Sequence, residues 1–154
     1  LPLVVFSADC GILLLHDPEA GCVGAVHAGW RGCAAGIVEK TVREMVRLLG
    51  ARPERILAAV GPCIGKCCFE TDSDVPEAMR ASALGAEAEP YLERRGEKWH
   101  VDLAGLNRQW LLRAGVAPDH IDVCGLCTAC RPDLFWSHRK MGEARGVQAA
   151  VISL

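Results

Sequence analysis

The sequence predicts a mixed α/β (α+β) fold, a β-sheet layered with helices. Short apolar runs at residues 2–7, 12–16 and 22–27 read as strands. Residues 34–49 and 103–114 carry apolar side chains at helical spacing. Strands outnumber helices. At least one strand pair is antiparallel, because "DPEAG" at 17–21 is a turn that folds 12–16 onto 22–27. A mixed sheet covered by helices satisfies all three observations.

The first helix sets Val38, Val42, Met45, Val46 and Leu49 on one face. Glu39, Lys40, Arg43, Glu44 and Arg47 lie on the other, and Gly50 and Pro53 end it. "RILAAV" at 55–60 is a buried strand running into the loop "GPCIGKCC". A helix is expected at 74–84, then a weakly patterned, charged stretch to 98. "WHVDL" at 99–103 is a short strand, and the helix at 103–114 buries Leu103, Leu106, Trp110 and Leu111. "HIDVCGL" is a strand, "CTACRPDLFWSHRKMGEARG" an irregular segment, and "VQAAVISL" a closing strand. With no repeats, low complexity or linker, residues 1–154 read as a single domain.

Half of the residues (51%) are apolar and the net charge is only −2. No basic stripe points to nucleic acid, and "LPLVVF" is too short to span a membrane and lacks the basic flank of a signal peptide. The reading is a cytoplasmic protein with no nucleic-acid or membrane partner. Nine cysteines, an odd number, argue against a secreted disulfide scaffold and for reduced thiols, some of them metal ligands. The chain opens at Leu1 inside an apolar run, so an N-terminal segment is expected to be lacking.

Cys10 follows the first strand and His27 ends the third. If 12–16 and 22–27 form a hairpin, both stand at one edge of the sheet. A thiol and an imidazole there suit Zn²⁺, or a Cys–His nucleophile pair, or simply a small buried residue and a satisfied strand-end histidine. "GWRG" at 29–32 precedes a helix. Its backbone N–H groups and the Arg31 guanidinium would favour an anion such as phosphate, although a structural turn explains the glycines as well.

"ADC" at 8–10, "HAGWRG" at 27–32, "VGPCIG…FE", "VDL…N…L…GV" and "CT…FWSHRK" occur in that order, and together they resemble the YfiH-like, laccase-domain family. The resemblance implies a fold related to cysteine-hydrolase-like toxin domains. It implies a zinc-dependent purine nucleoside phosphorylase with adenosine deaminase activity, acting on a purine nucleoside and phosphate. It also brings the name polyphenol oxidase. By resemblance Cys10 and His27 are zinc ligands, and the family's third ligand is a histidine upstream of Leu1. The 154-residue chain is therefore expected to hold zinc weakly.

The rest of the chemistry is read around that pair. Zinc activates water at neutral pH, which suits attack at C6 of adenosine. Phosphorolysis needs phosphate beside C1′, a role for Arg31. Trp30, beside His27, faces a ligand, and His138 and Arg139 in "FWSHRK" are candidates to bind substrate. His16, His100 and His120 are read as plain structural residues. Copper is the less favoured ion, because a multicopper oxidase needs many imidazoles in His-x-His pairs and this chain has five histidines and no such pair. Cys124, Cys127 and Cys130, spaced C-x₂-C-x₂-C, resemble the start of an iron–sulfur run. A fourth ligand would have to come from Cys63, Cys67 or Cys68. These cysteines are read as buried or loop thiols, with a thiol-rich metal-binding or redox module as the alternative. The reading predicts that the Cys10 sulfur and a His27 ring nitrogen approach to about 3–4 Å, as two zinc bonds of roughly 2.0–2.3 Å require, and that "GWRG" caps a helix with Arg31 facing the same cavity as His27.

Overall fold

In the computed structural model, which describes residues 1–154, the strands sort into three sheets. The chain begins with β1 (Leu3–Ser7), reverses into β2 (Gly11–Asp17) and returns as β3 (Cys22–Ala28). Helices α1 (Trp30–Ala34) and α2 (Ile37–Leu49) follow, then β4 (Leu57–Val60). The middle holds β5 (Glu70–Thr71), α3 (Asp74–Ala81), β6 (Leu92–Arg95), β7 (Lys98–Val101) and α4 (Leu103–Arg113). The chain closes with β8 (Ile121–Val123), the single turn α5 (His138–Met141) and β9 (Gln148–Ile152).

The main sheet has the order β3-β2-β4-β8, antiparallel at its first two junctions and parallel at the third. It is the expected mixed sheet, and the predicted hairpin forms its edge, with Ile12 opposite His27. β1 leaves this sheet and pairs antiparallel with β9. β5, β7 and β6 make a third sheet: β7 is the strand expected at "WHVDL", and β6 lies inside the charged stretch. Only Leu92 of β6 is buried, so that strand offers no alternation to read from sequence.

One face of the main sheet carries the core. Leu13, Leu15, Val26, Ala58 and Val60 pack against Val38, Val42 and Met45 of α2 and Leu106, Trp110 and Leu111 of α4. The Met45 sulfur stands 2.8 Å from where a Cβ at Gly24 would be, so α2 lies closer to β3 than any larger residue at 24 would allow. On the opposite face Leu14, His16, Leu57 and Ala59 border an open cavity of about 640 Å³.

The expected helix at 34–49 starts earlier and is broken. Gly36 adopts φ +70°, and the Trp110 ring lies 3.2 Å from its missing Cβ. Helical spacing is preserved on both sides of this residue, so the break is invisible in the apolar pattern. It frees α1 to start directly from β3, with Gly29 as its N-cap. We expect Gly36→Ala to cost about 1–2 kcal/mol, the penalty of a left-handed backbone bearing a Cβ. The check is a lower urea midpoint at unchanged slope.

Asp17 ends β2 with its side chain buried. It accepts the N–H groups of Glu19 and Ala20 at 3.0 Å and of Arg52 at 2.8 Å, and Arg55 Nη2 donates to it at 2.9 Å. Burial alone would raise its pKa. The backbone donors and the Arg55 guanidinium outweigh burial and hold the carboxyl well below the usual range. A depressed pKa stabilises the fold above the unfolded value, near 3.9, and that contribution is lost as pH falls through the folded one. Asp17→Asn should therefore lower Tm by several degrees at neutral pH, with the gap to wild type narrowing as pH falls below about 4.

Candidate active site at the β1–β2 corner

The chain reverses between β1 and β2 at Asp9, the one non-glycine residue with positive φ, at +89°. Such a backbone is costly for a residue with a Cβ, though Asp tolerates it better than most. Its surroundings offset the cost. The buried carboxylate accepts the Thr128 hydroxyl at 2.6 Å and the Arg139 N–H at 2.8 Å. The Asp9 carbonyl accepts the Ile64 N–H at 2.8 Å, and Ser7 Oγ donates to the Cys10 carbonyl at 2.8 Å. One residue thus ties the corner to the 61–68 loop, the segment after β8 and α5.

Cys10 and His27 both face Gly29. The position a Cβ would take at Gly29 lies 2.7 Å from Cys10 Sγ and 3.8 Å from His27 Nε2. Only glycine keeps that space open. His27 Nδ1 bonds to the Phe6 carbonyl of β1 at 2.9 Å. A carbonyl only accepts, so the ring proton sits on Nδ1 and Nε2 keeps its lone pair. Backbone anchoring of one ring nitrogen is how ligating histidines are usually oriented. Burial and the Asp9 carboxylate push the Cys10 thiol up, with Arg145 pulling the other way. A raised thiol is the opposite of the depressed thiolate a cysteine nucleophile needs. A metal ligand is the thiolate as well, so what suits the pair to a metal is the anchored His27 ring with Nε2 turned toward Gly29. No third Cys, His or carboxylate gathers with these two.

A cavity of about 320 Å³ opens beside Cys10. Three further predicted residues, Trp30, His138 and Arg139, line it together with Asp9, Phe69 and Arg145. His27 and Arg31 are not on its wall. "GWRG" does start α1, but Arg31 lies on the outside, its guanidinium stacked 4.1 Å from the Trp30 ring centroid. Arg139 donates to the carbonyls of Cys68 (3.1 Å) and Glu70 (2.9 Å), so it braces the wall. Arg145 Nε donates to His138 Nδ1 at 3.1 Å, which leaves the proton of a neutral His138 on Nε2. His138 is therefore an N–H donor in the cavity wall.

The sequence reading missed Asp9, Phe69, Thr128 and Arg145. Asp9 stood in a quoted motif, and its acceptance of positive φ was a usable hint, but nothing local announces that the turn needs one. Arg145 lies in an irregular segment with no periodicity. Among the plain histidines, His100 Nδ1 bonds to the Lys66 carbonyl at 2.8 Å, as a structural residue should. The thiols read as plain are not scattered. The sulfurs of Cys67, Cys68, Cys127 and Cys130 lie within 4.8 Å of one another, a cluster able to bind metal, with Cys63 and Cys124 outside it.

Residues 1–154 match the family described as multi-copper polyphenol oxidoreductase laccase. A purine nucleoside phosphorylase of Deinococcus radiodurans is 48% identical over 152 residues, covering 99% of this chain and 56% of the relative. An adenosine deaminase, RL5, from an unknown prokaryotic organism is 38% identical over 142 residues, covering 92% of this chain and 54% of the relative. The crystal structure of the hypothetical protein YfiH of Bacillus licheniformis superposes with a TM-score of 0.94 at 36% identity, over 100% of this chain and 58% of that one. The chain spans about half the length of the curated relatives it matches.

Asp9→Ala removes both acceptor contacts from a buried site. We expect a loss of about 2–3 kcal/mol, the range for hydrogen bonds to a charged group, measured by urea unfolding. Asp9→Asn, which keeps one acceptor and tolerates positive φ, should lose less.

Proposed function

The chain belongs to the multi-copper polyphenol oxidoreductase laccase family, and we propose that the protein is a purine nucleoside phosphorylase with adenosine deaminase activity. The observation that carries the reading is the cavity at the β1–β2 corner. It sets an aromatic wall, an imidazole N–H and cationic groups beside a thiol–imidazole pair. The names of the relatives support it, since they are called phosphorylases and a deaminase. We take residues 1–154 as a catalytic domain. No helix is long and apolar enough to cross a membrane. The odd number of cysteines fits a reducing compartment, and we assign the protein to the cytoplasm.

Zinc is the ion we assign to Cys10 and His27. The space kept open by Gly29 and the free lone pair on His27 Nε2 fit it. When bound, zinc supplies Lewis acidity at neutral pH. The protein's own residues do the rest. Trp30 and Phe69 offer stacking surfaces to a purine in a cavity of suitable size. His138 Nε2–H faces a ring nitrogen or a ribose hydroxyl. Arg145 faces phosphate from the wall; Arg31 lies outside that wall but stacks on Trp30, which lines it, and pairs with no carboxylate, so we assign its charge to phosphate from that side. Arg139 binds substrate only at the margin, its guanidinium being committed to two carbonyls. In phosphorolysis a phosphate oxygen bonds to C1′ as the bond from C1′ to the base nitrogen breaks, and the base leaves with a proton.

Copper oxidation has less support. The one gathering of three or more metal-binding groups is all thiol, with no imidazole, and the five histidines lie apart from it.

The intact protein should release base from adenosine and inosine only when phosphate is present, and should convert adenosine to inosine without it. Cys10→Ala should abolish both activities. Arg31→Ala should lower phosphorolysis about 10- to 100-fold, the worth of one or two charge-assisted hydrogen bonds, at unchanged metal content and with less effect on deamination. Release of base that ignores phosphate would overturn the reading, as would copper-dependent oxidation of phenols. Full phosphorolysis in Arg31→Ala would remove that residue from the mechanism.

A further inference from the structure

The thiol cluster lies outside the cavity and has no part in the proposed chemistry. Its four cysteines come from two loops. Cys67 and Cys68 sit in the loop after β4, and Cys127 and Cys130 in the segment after β8. Cys130 Sγ is 3.5 Å from Cys67 Sγ and 3.4 Å from Cys68 Sγ. Four sulfurs around one zinc ion at about 2.3 Å would stand about 3.8 Å apart in a tetrahedron. The observed spacing is close to that without any movement of the backbone. An iron–sulfur cluster places several metal atoms between its cysteines and needs a wider gap.

Three further features belong to a metal site rather than to chance proximity. The Gly65 N–H donates to Cys127 Sγ at 3.2 Å, the outer hydrogen bond that tunes ligating sulfurs. A Cβ at Gly65 would stand 3.1 Å from Cys127 Cβ and 3.3 Å from Cys67 Sγ, so glycine at 65 lets the two loops close. The loops are already in register: Cys63 and Cys127 form a parallel bridge, and the Thr128 N–H donates to the Cys63 carbonyl at 3.1 Å. Charge is compatible too. A tetrathiolate with zinc is net negative, and Lys66 and Arg95, joined through Glu93, lie beside Cys67.

We propose that Cys67, Cys68, Cys127 and Cys130 hold one zinc ion as a structural site separate from Cys10 and His27. All four positions are taken by sulfur, so the site is closed to substrate and is not catalytic. The thiols bind as thiolates, and the protons they carry leave to solvent. The ion staples the 61–70 loop to the segment after β8. Ile64 and Phe69 on the first line the cavity, and Thr128 on the second bonds Asp9. The staple thus holds the cavity wall. The inference does not rest on the proposed activity.

The test uses intact protein, with cobalt and zinc as probes and no activity assay. Co²⁺ added to the metal-free protein should give the intense thiolate-to-metal and visible bands of a tetrahedral tetrathiolate. That spectrum should persist in Cys10→Ala/His27→Ala and vanish in Cys127→Ser/Cys130→Ser, which should also lose one equivalent of zinc. If the second variant does not fold, alkylation of the wild type decides. Cys67 and Cys130 are exposed, and zinc should slow alkylation of the four cysteines more than about tenfold while leaving the exposed Cys124 unchanged. Equal alkylation with and without zinc would overturn the proposal. So would a cobalt spectrum lost with Cys10 and His27, the broad absorption of an iron–sulfur cluster, or a native disulfide among the four.

Discussion

The buried carboxylate of Asp9 is the constraint on which the candidate site depends. Its two acceptor bonds reach Thr128 and Arg139, 119 and 130 positions along the chain. Contacts of that sequence separation form only once the β-sheets are in place, because loop closure must come first. The strained backbone at Asp9 is tolerable only in their presence. The same contacts that relieve the strain aim Cys10 at Gly29 and bring α5, with His138 and Arg139, over the corner. Strain, burial and site assembly are therefore one cooperative event.

The arginines divide their work in a way residue type does not reveal. Arg55 spans Asp17 and Glu19 at the far end of the hairpin and is structural. Arg139 lies against the cavity yet gives two donors to backbone carbonyls, so its main task is holding the chain from Cys68 to the start of β5 in place. Arg145 acts on its neighbour, setting the proton of His138 on Nε2. Arg31 is exposed, pairs with no carboxylate and donates to no carbonyl, unlike Arg139. A cation held only by the face of Trp30 keeps all its hydrogen-bond donors for a ligand.

The cysteines show the same division. Cys33 and Cys63 are buried, and burial pushes each to about 12, as expected of inert core thiols. Cys10 stands half-buried at the corner beside an imidazole lone pair. Four more gather at the meeting of two loops. Cys63 bridges these environments through its backbone: its carbonyl receives Thr128, whose hydroxyl reaches Asp9. The thiol cluster and the candidate active site are thus linked through one hydrogen-bonded strand of contacts.

The sequence alone determined the hairpin of β2 and β3 and the apolar faces of α2 and α4, because each rests on periodicity or a turn residue within a few positions. It also brought out Cys10, His27, Trp30, His138 and Arg139, whose residue types carry their chemistry wherever they stand. Only the tertiary structure decided the rest. The break at Gly36 keeps the helical spacing and so leaves no mark on the pattern. β6 has a single buried residue and nothing to alternate. Asp9 matters through partners more than a hundred positions away. The spacing of Cys124, Cys127 and Cys130 resembles the start of an iron–sulfur run, yet the three read as plain thiols. The fold instead leaves Cys124 aside and joins the other two to Cys67 and Cys68, because loops are brought together by sheet register, which local sequence does not encode.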